Sequence, residues 1–187
     1  MKPPLIIVSA PSGAGKSTLC QRALKEIPNL VDSISYTTRP PRATESEGAP
    51  YHFVSKEQFE VLKKDGFFAE TALVHENWYG TPRYQIEEAH NNGKVLIMDV
   101  DVKGAMNLKN LYPTALSIFI LPPSIEELKR RLLVRDAGKT QNLDLRLENA
   151  QTEMEQSRLF DQQITNENFE SAFDSFKKII ENALQRA

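Results

Sequence analysis

A chain of 187 residues, 40% hydrophobic and 26% charged, is most simply one globular domain with a substantial core. Its 23 basic and 25 acidic residues leave a net charge of −2, which argues against a general nucleic-acid or membrane-surface binder. A single cysteine excludes an intrachain disulfide framework, and with no membrane-length apolar run and no signal-peptide pattern the expectation is a cytoplasmic protein.

In chain order, the apolar run Leu5 to Val8 predicts a buried strand. The stretch Ala10-Pro11-Ser12-Gly13-Ala14-Gly15-Lys16-Ser17-Thr18 follows it and opens a helical pattern from Leu19 to Ile27. Strand, glycine-rich loop, Gly-Lys-Ser and helix together point to a phosphate-binding loop, the alternative being a glycine-rich turn that opens a helix and binds nothing. Glycines let successive N–H groups turn inward, and the helix adds its unpaired N–H groups and positive dipole end. Lys16 can reach β- and γ-phosphates, and the Ser17 hydroxyl can sit on Mg²⁺. Ala10 stands at the first glycine of the usual pattern, which is acceptable wherever the backbone needs no positive φ. Cys20, on this first helix, reads as a packed side chain.

Pro28-Asn29 stops the helix. Leu30 to Thr38 predicts a short strand, and Arg39-Pro40-Pro41-Arg42 a loop whose prolines hold two guanidinium groups at a set separation. Tyr51 to Val54 predicts a strand, and Ser55 with Gln58 a capping box ahead of a helix over 56–64. Phe67 to Val74 predicts a strand, Trp78 to Pro82 a turn, and Arg83 to Asn92 a helix closed by Gly93. Val95 to Met98, apolar on both faces and ending in Asp99-Val100-Asp101, predicts a central parallel strand. A helix over 102–111 and a buried strand over 115–121 follow. Ser124 caps a helix over 125–135, with Glu127 completing a capping box. A polar loop over 136–142, a helix over 143–158, a strand over 162–165 and an amphipathic helix over 169–185 complete the chain. Strands alternating with helices at both ends imply an α/β parallel sheet, into which an α+β segment over about 33–93 is inserted.

Asp99, at the end of a buried strand, is placed like the second acid of a phosphate-loop enzyme, which holds Mg²⁺ directly or through water. A capping Asp at a strand end is the alternative. Asp101 reads equally as a ligand or as the N-cap of the next helix. Arg39, Arg42, Tyr51 and Tyr79 suit a monophosphate clamp, although each alone reads as surface or partial core. Arg131 and Arg135 share a helix face, and Arg146 opens the next helix. They suit a transferring phosphoryl group, while exposed charge is the simpler reading of the residues alone. His52, His75 and His90 are scattered and form no metal-binding spacing.

The order of these segments resembles guanylate kinases over residues 5–180. The carriers are the phosphate loop, Ser35-Tyr36-Thr37-Thr38-Arg39-Pro40-Pro41-Arg42, Tyr79-Gly80-Thr81, Asp99-Val100-Asp101-Val102-Lys103-Gly104, and Ile118 to Ser124. The resemblance implies a P-loop NTPase-type parallel sheet flanked by helices, with a core over about 1–32, 94–123 and 160–187. It further implies an inserted GMP-binding subdomain over 33–93 and a helical lid over 124–159. It implies phosphoryl transfer from ATP to GMP with Mg²⁺, by a cytoplasmic monomer or homodimer. Arg39, Arg42, Tyr51 and Tyr79 would hold the GMP phosphate, and Ser35, Glu70, Thr81 and Asp101 would surround guanine. Residues 10–18 and Asn166 would serve ATP, with Ser17 and Asp99 for the metal. Lys16, Arg39, Arg131, Arg135 and Arg146 would be catalytic. Thr81 stands where many members have Ser, the segment Val134 to Gly138 has fewer glycines than the family's lid, and Asn166 lacks two following acids. A kinase for another monophosphate, and a non-catalytic binding module of the same fold, are the alternatives.

Overall fold

The computed structural model describes residues 5–41, 45–74, 76–135 and 142–185. Its centre is a five-stranded sheet in the order β10-β9-β1-β8-β2, with every pairing parallel. These strands are β1 (Leu5–Ser9), β2 (Leu30–Asp32), β8 (Val95–Asp99), β9 (Leu116–Leu121) and β10 (Gln162–Thr165). Alternation along them divides the core. Ile6, Val8, Ile97, Ile118 and Ile120 pack against Cys20 and Ala23 of α1 (Lys16–Glu26) and Phe173 and Phe176 of α7 (Phe169–Leu184). Leu5, Ile7, Leu96, Met98 and Phe119 face the other way, onto Ile86 of α3 (Arg83–Asn91) and Ala105 and Leu108 of α4 (Val102–Leu111). A parallel sheet covered on both faces accounts for the unbroken apolar runs in its strands.

A second, mixed sheet has the order β4-β5-β3-β7-β6. It comprises β3 (Ser35–Thr37), β4 (Ser46–Glu47), β5 (Pro50–Phe53), β6 (Phe68–Val74) and β7 (Asn77–Pro82). Phe59 of α2 (Lys56–Lys64) is stacked between Phe68 and Trp78, with ring centroids 4.6 and 5.9 Å away. The capping box of Ser55 and Gln58 starts α2 as expected. The helices α5 (Ile125–Arg135) and α6 (Leu143–Glu155) form an arm packed through Leu128, Leu132 and Ala150.

Four local expectations are corrected. The segment 30–38 is not one strand: β2 joins the parallel sheet and β3 the mixed one. The break falls at Ile34, whose N–H and carbonyl are both taken by the Gln85 side chain, at 2.9 and 3.1 Å. Residues 78–82 are not a turn but part of β7. Gly80 is required there by packing, since a Cβ would lie 2.8 Å from the Phe68 ring, and the hairpin turns instead at Glu76, with φ of 67°. The helix over 143–158 ends at Glu155 and continues as a 3₁₀ turn, Gln156–Leu159. The Ser124 cap forms, but the Glu127 carboxylate is drawn to Arg130 and Arg131. Arg42 and residues 136–141 of the expected polar loop lie outside the described residues.

Candidate functional site

The loop between β1 and α1 has the backbone its glycines promise. Gly13 and Gly15 both adopt φ of +96°, whereas Ala10 does not take a positive φ. The substitution of the first glycine is therefore conformationally harmless. Gly15 is also the point of closest approach: a Cβ there would lie 2.3 Å from Asn166 Nδ2. Asn166, 5% exposed at the end of β10, donates from that nitrogen to the Ala14 carbonyl at 2.8 Å. Its side chain thus braces the loop from beneath.

Parallel pairing of β1 with β8 brings Val8 level with Asp99, so the acid ends beside the loop. Lys16 Nζ forms an ion pair with Asp99 and donates to the Val100 carbonyl at 3.0 Å. Ser17 Oγ donates to Asp99 Oδ2 at 3.0 Å. Burial acts to lower the Lys16 pKa, but the charge and hydrogen bond of Asp99 outweigh it and the pKa is raised. Asp32 was not singled out from the sequence. It lies level with Ile97 on β2, on the sheet face that also carries Asp99. Asp32 itself is solvent-exposed, and partial desolvation followed by the Asp99 charge acts to raise its pKa. The available signal was alternation: Leu30 and Asp32 share a face as Ile97 and Asp99 do. Cys20 is a packed thiol, pushed well above its ordinary range by burial.

Across the cleft, the mixed sheet presents two groups. Arg39 forks onto Glu45 at 2.9 and 3.0 Å and lies over the Tyr51 ring at 5.6 Å. Tyr51 meets Tyr79 edge-on at 5.7 Å, and burial raises its hydroxyl pKa. The second group is a buried polar chain. Ser35 Oγ lies 3.5 Å from Thr81 Oγ1, which donates to Glu70 Oε1 at 3.0 Å. Glu70 is 7% exposed, and its Oε2 has no hydrogen-bond partner among the described residues. Burial, opposed by the Thr81 bond and helped by the Asp101 charge, pushes Glu70 up to about 7. Asp101 caps α4, accepting from Gly104 N–H at 3.0 Å. A Cβ on Gly104 would lie 2.9 Å from Asp101 Oδ1 and 3.2 Å from Glu70 Oε2, so this glycine lets two carboxylates approach one pocket. Asp101 is thus the N-cap of α4, standing beside Glu70 across Gly104.

The arm's arginines turn inward. Arg135 and Arg146 both donate to Ser12 Oγ of the loop, at 3.3 and 3.1 Å. Arg131 donates to Glu127 at 2.8 Å and to the Asn166 carbonyl at 2.9 Å. Hydrogen bonds from Arg130 and Arg131 hold the Glu127 carboxyl down at about 2. Arg135 remains solvent-exposed and Arg131 and Arg146 are half-buried, so the exposed-charge reading of the sequence still describes Arg135 in part. One cleft wall is therefore a nest of N–H groups and cations, and the other is a guanidinium–tyrosine cluster beside an acceptor-rich pocket. Such an arrangement suits two phosphorylated ligands, one with a donor-bearing ring.

A family model described as Guanylate kinase matches residues 2–183. The guanylate kinase of Bdellovibrio bacteriovorus is 45% identical over 184 residues, covering 98% of this chain and 100% of that protein. That of Syntrophotalea carbinolica is 44% identical over 176 residues, covering 94% of this chain and 84% of that one. The crystal structure of guanylate kinase from Anaplasma phagocytophilum superposes with a TM-score of 0.81 at 32% identity, over 96% of this chain and 85% of that one.

Proposed function

This chain belongs to the guanylate kinase family, and on that premise we propose how its cleft phosphorylates GMP to GDP at the expense of ATP. The activity is the family's, and the assignment of residues to it is our reading. ATP phosphates lie in the nest of residues 10–18, with Lys16 neutralising the transferring group and Asn166 bracing the loop. Arg39, Arg42, Tyr51 and Tyr79 hold the GMP phosphate. Ser35, Glu70, Thr81 and Asp101 surround guanine.

Glu70 Oε2, a buried acceptor without a partner among the described residues, carries the choice of base. Guanine offers N1–H and a 2-amino group, both donors, to carboxylates that can only accept. Adenine offers a bare N1 and no 2-amino group, leaving buried acceptors unpaired, so discrimination by orders of magnitude is expected.

The donor set beside the loop also fits Mg²⁺. Ser17 and Asp99 supply hard oxygen ligands, Asp99 through water. No group of three or more His, Cys, Asp or Glu side chains among the described residues forms a cation site. A cation held mainly by nucleotide phosphates needs no such cage. Bound there, Mg²⁺ supplies positive charge to the β- and γ-phosphates. The chain's own contribution to in-line transfer is positioning and charge neutralisation. Arg131, Arg135 and Arg146 converge on the transferring group from the arm, which acts as a lid over about 124–159 and excludes water. The core spans about 1–32, 94–123 and 160–187, and the acceptor subdomain 33–93. The reading is completed by a cytoplasmic setting and a monomer or homodimer acting on small molecules.

The test is ADP release from Mg·ATP with GMP, dGMP, AMP, UMP and dTMP offered singly. GMP is expected to lead AMP and the pyrimidine nucleotides by at least about a hundredfold in kcat/KM. Equal use of AMP would overturn the assignment of Glu70 and Asp101.

A further inference from the structure

The chain crosses between the two sheets twice. It leaves the parallel sheet at Ser33, whose N–H donates to the Ile97 carbonyl at 3.0 Å, and enters the mixed sheet at Ser35, level with Tyr51. It returns where β7 ends at Pro82 and α3 begins at Arg83. Helix α3 is joined to both sides. Arg83 donates from its N–H to the Phe67 carbonyl at 3.0 Å and from its guanidinium to the Phe68 carbonyl at 3.1 Å, while Ile86 and Ala89 pack against the parallel sheet. Between the sheets stands Ile34, which has a partner in neither ladder. Its two backbone groups are taken by a single side chain from the other crossing. Gln85, in the first turn of α3, accepts from the Ile34 N–H at 2.9 Å and donates to the Ile34 carbonyl at 3.1 Å. A carboxamide presents an acceptor and a donor side by side, as a neighbouring strand would. Both bonds are partly buried, so Ile34 is held in place by the cost of leaving its groups unpaired.

We propose that Gln85 is a positioning residue for phosphoryl transfer, its amide pinning the two crossings together so that the acceptor sheet meets the phosphate loop in one pose. The inference rests on the reading of GMP as acceptor. On that reading the mixed sheet carries most of the acceptor's contacts, through Ser35, Arg39, Tyr51, Glu70, Tyr79 and Thr81, whereas Lys16, Asp99 and Asp101 stand on the side of the parallel sheet. In-line transfer needs the attacking oxygen aligned with the γ-phosphoryl group, and that alignment is set across the crossings rather than within either wall. A tilt of about 6° moves a group about 10 Å from the pivot by about 1 Å, enough to cost as much as about a hundredfold in rate. Ser35, the residue after Ile34, begins the polar chain to Thr81 and Glu70. Gln85 therefore acts through Ile34 on the place where the base pocket starts.

The experiment compares the full chain with Gln85→Ala and Gln85→Glu, by steady-state kinetics with Mg·ATP and GMP and by calorimetric binding of GMP alone and ATP alone. Gln85→Ala should lower kcat by about tenfold or more, with Kd for each nucleotide bound singly within about threefold of the parent, because each wall is intact and only their relation is lost. Gln85→Glu keeps the acceptor for the Ile34 N–H, but at about pH 8 it sets a carboxylate against the Ile34 carbonyl. Once protonated, its O–H replaces the lost amide donor. Its kcat relative to the parent at the same pH should be low at about pH 8 and rise severalfold towards about pH 5.5, while that of Gln85→Ala stays flat. An amide that only stabilised the fold would lower Tm without moving kcat well below the transition, and would give no acid recovery of kcat. A folded Ala variant with parental kcat, a fall in kcat matched by an equal rise in Kd for GMP alone, or a Glu variant whose relative kcat ignores pH overturns the inference while GMP turnover stands. The pH profile of Gln85→Glu decides on its own if Gln85→Ala does not fold. A parent with no turnover on GMP would instead overturn the reading beneath it.

Discussion

The two walls of the cleft manage charge in opposite ways. On the loop wall, Lys16 is satisfied by Asp99 and the Val100 carbonyl, and Ser17 by Asp99. On the base wall, Glu70 is buried with one oxygen unpartnered among the described residues and a second carboxylate nearby. The loop wall is internally paired and can exchange Asp99 for phosphate without ever exposing a naked charge. The base wall is held short of a donor, and a ligand that brings one relieves it. The first arrangement suits a ligand recognised by charge alone, the second a ligand recognised by its hydrogen-bond pattern.

The largest expected effect breaks the loop wall. Lys16→Ala should lower kcat by about a thousandfold or more, because it removes charge aimed at the transferring group. The Tm should move by only a few degrees. Near-parental turnover would refute the role given to this lysine.

Next is the base wall. Glu70→Gln replaces an acceptor-only group with one that also presents a donor amide to guanine's own donors. KM for GMP should rise by about a hundredfold with KM for ATP nearly constant, and an equal rise in both would dissolve the contrast between the walls. The pH dependence sharpens it. Glu70 ionises at about 7 in the folded chain against an ordinary value of 4.5. Between these values the folded chain holds a proton that the unfolded chain has released. The stabilisation is complete below the lower value and is lost as pH rises through the upper one. Glu70→Gln, neutral throughout, should therefore gain Tm relative to the parent as pH rises from about 5 to about 8, by an amount equivalent to roughly 2–3 kcal/mol. On the proposed reading guanine pairs with the ionised form, so KM for GMP should fall over about pH 6 to pH 8 in the parent and not in the variant.

A smaller effect is expected at Gly15. Gly15→Ala forces a side chain into positive φ and against Asn166, costing about 1–3 kcal/mol. Thermal denaturation should register a loss of several degrees, and KM for ATP should rise more than KM for GMP. The smallest is Thr81→Ser, which keeps the hydroxyl that donates to Glu70. Kinetics on GMP should stay within about twofold, and a larger change would mean that the methyl group, not the hydroxyl, matters.

Legibility in the sequence follows the same division. The phosphate loop could be read because its parts are contiguous and its chemistry is backbone geometry: Gly13 and Gly15 take the left-handed conformation, and Ala10 sits where none is needed. The expected turn at 78–82 failed because Gly80 is there for the closeness of Phe68, a contact between strands that no local pattern shows. The nearness of Asp32 to Asp99 is not legible in the sequence because it comes from the neighbouring strand.

The amino-acid order by itself determined the alternation of apolar strands and helices, the nest around Lys16 and the pool of acceptors and guanidiniums, since these depend on neighbours within a few residues. Only the tertiary structure decided that Arg135 and Arg146 turn onto Ser12 and that Gly104 admits Asp101 beside Glu70. Those relations join elements far apart in the chain, and their geometry is set by how two sheets and an arm pack together.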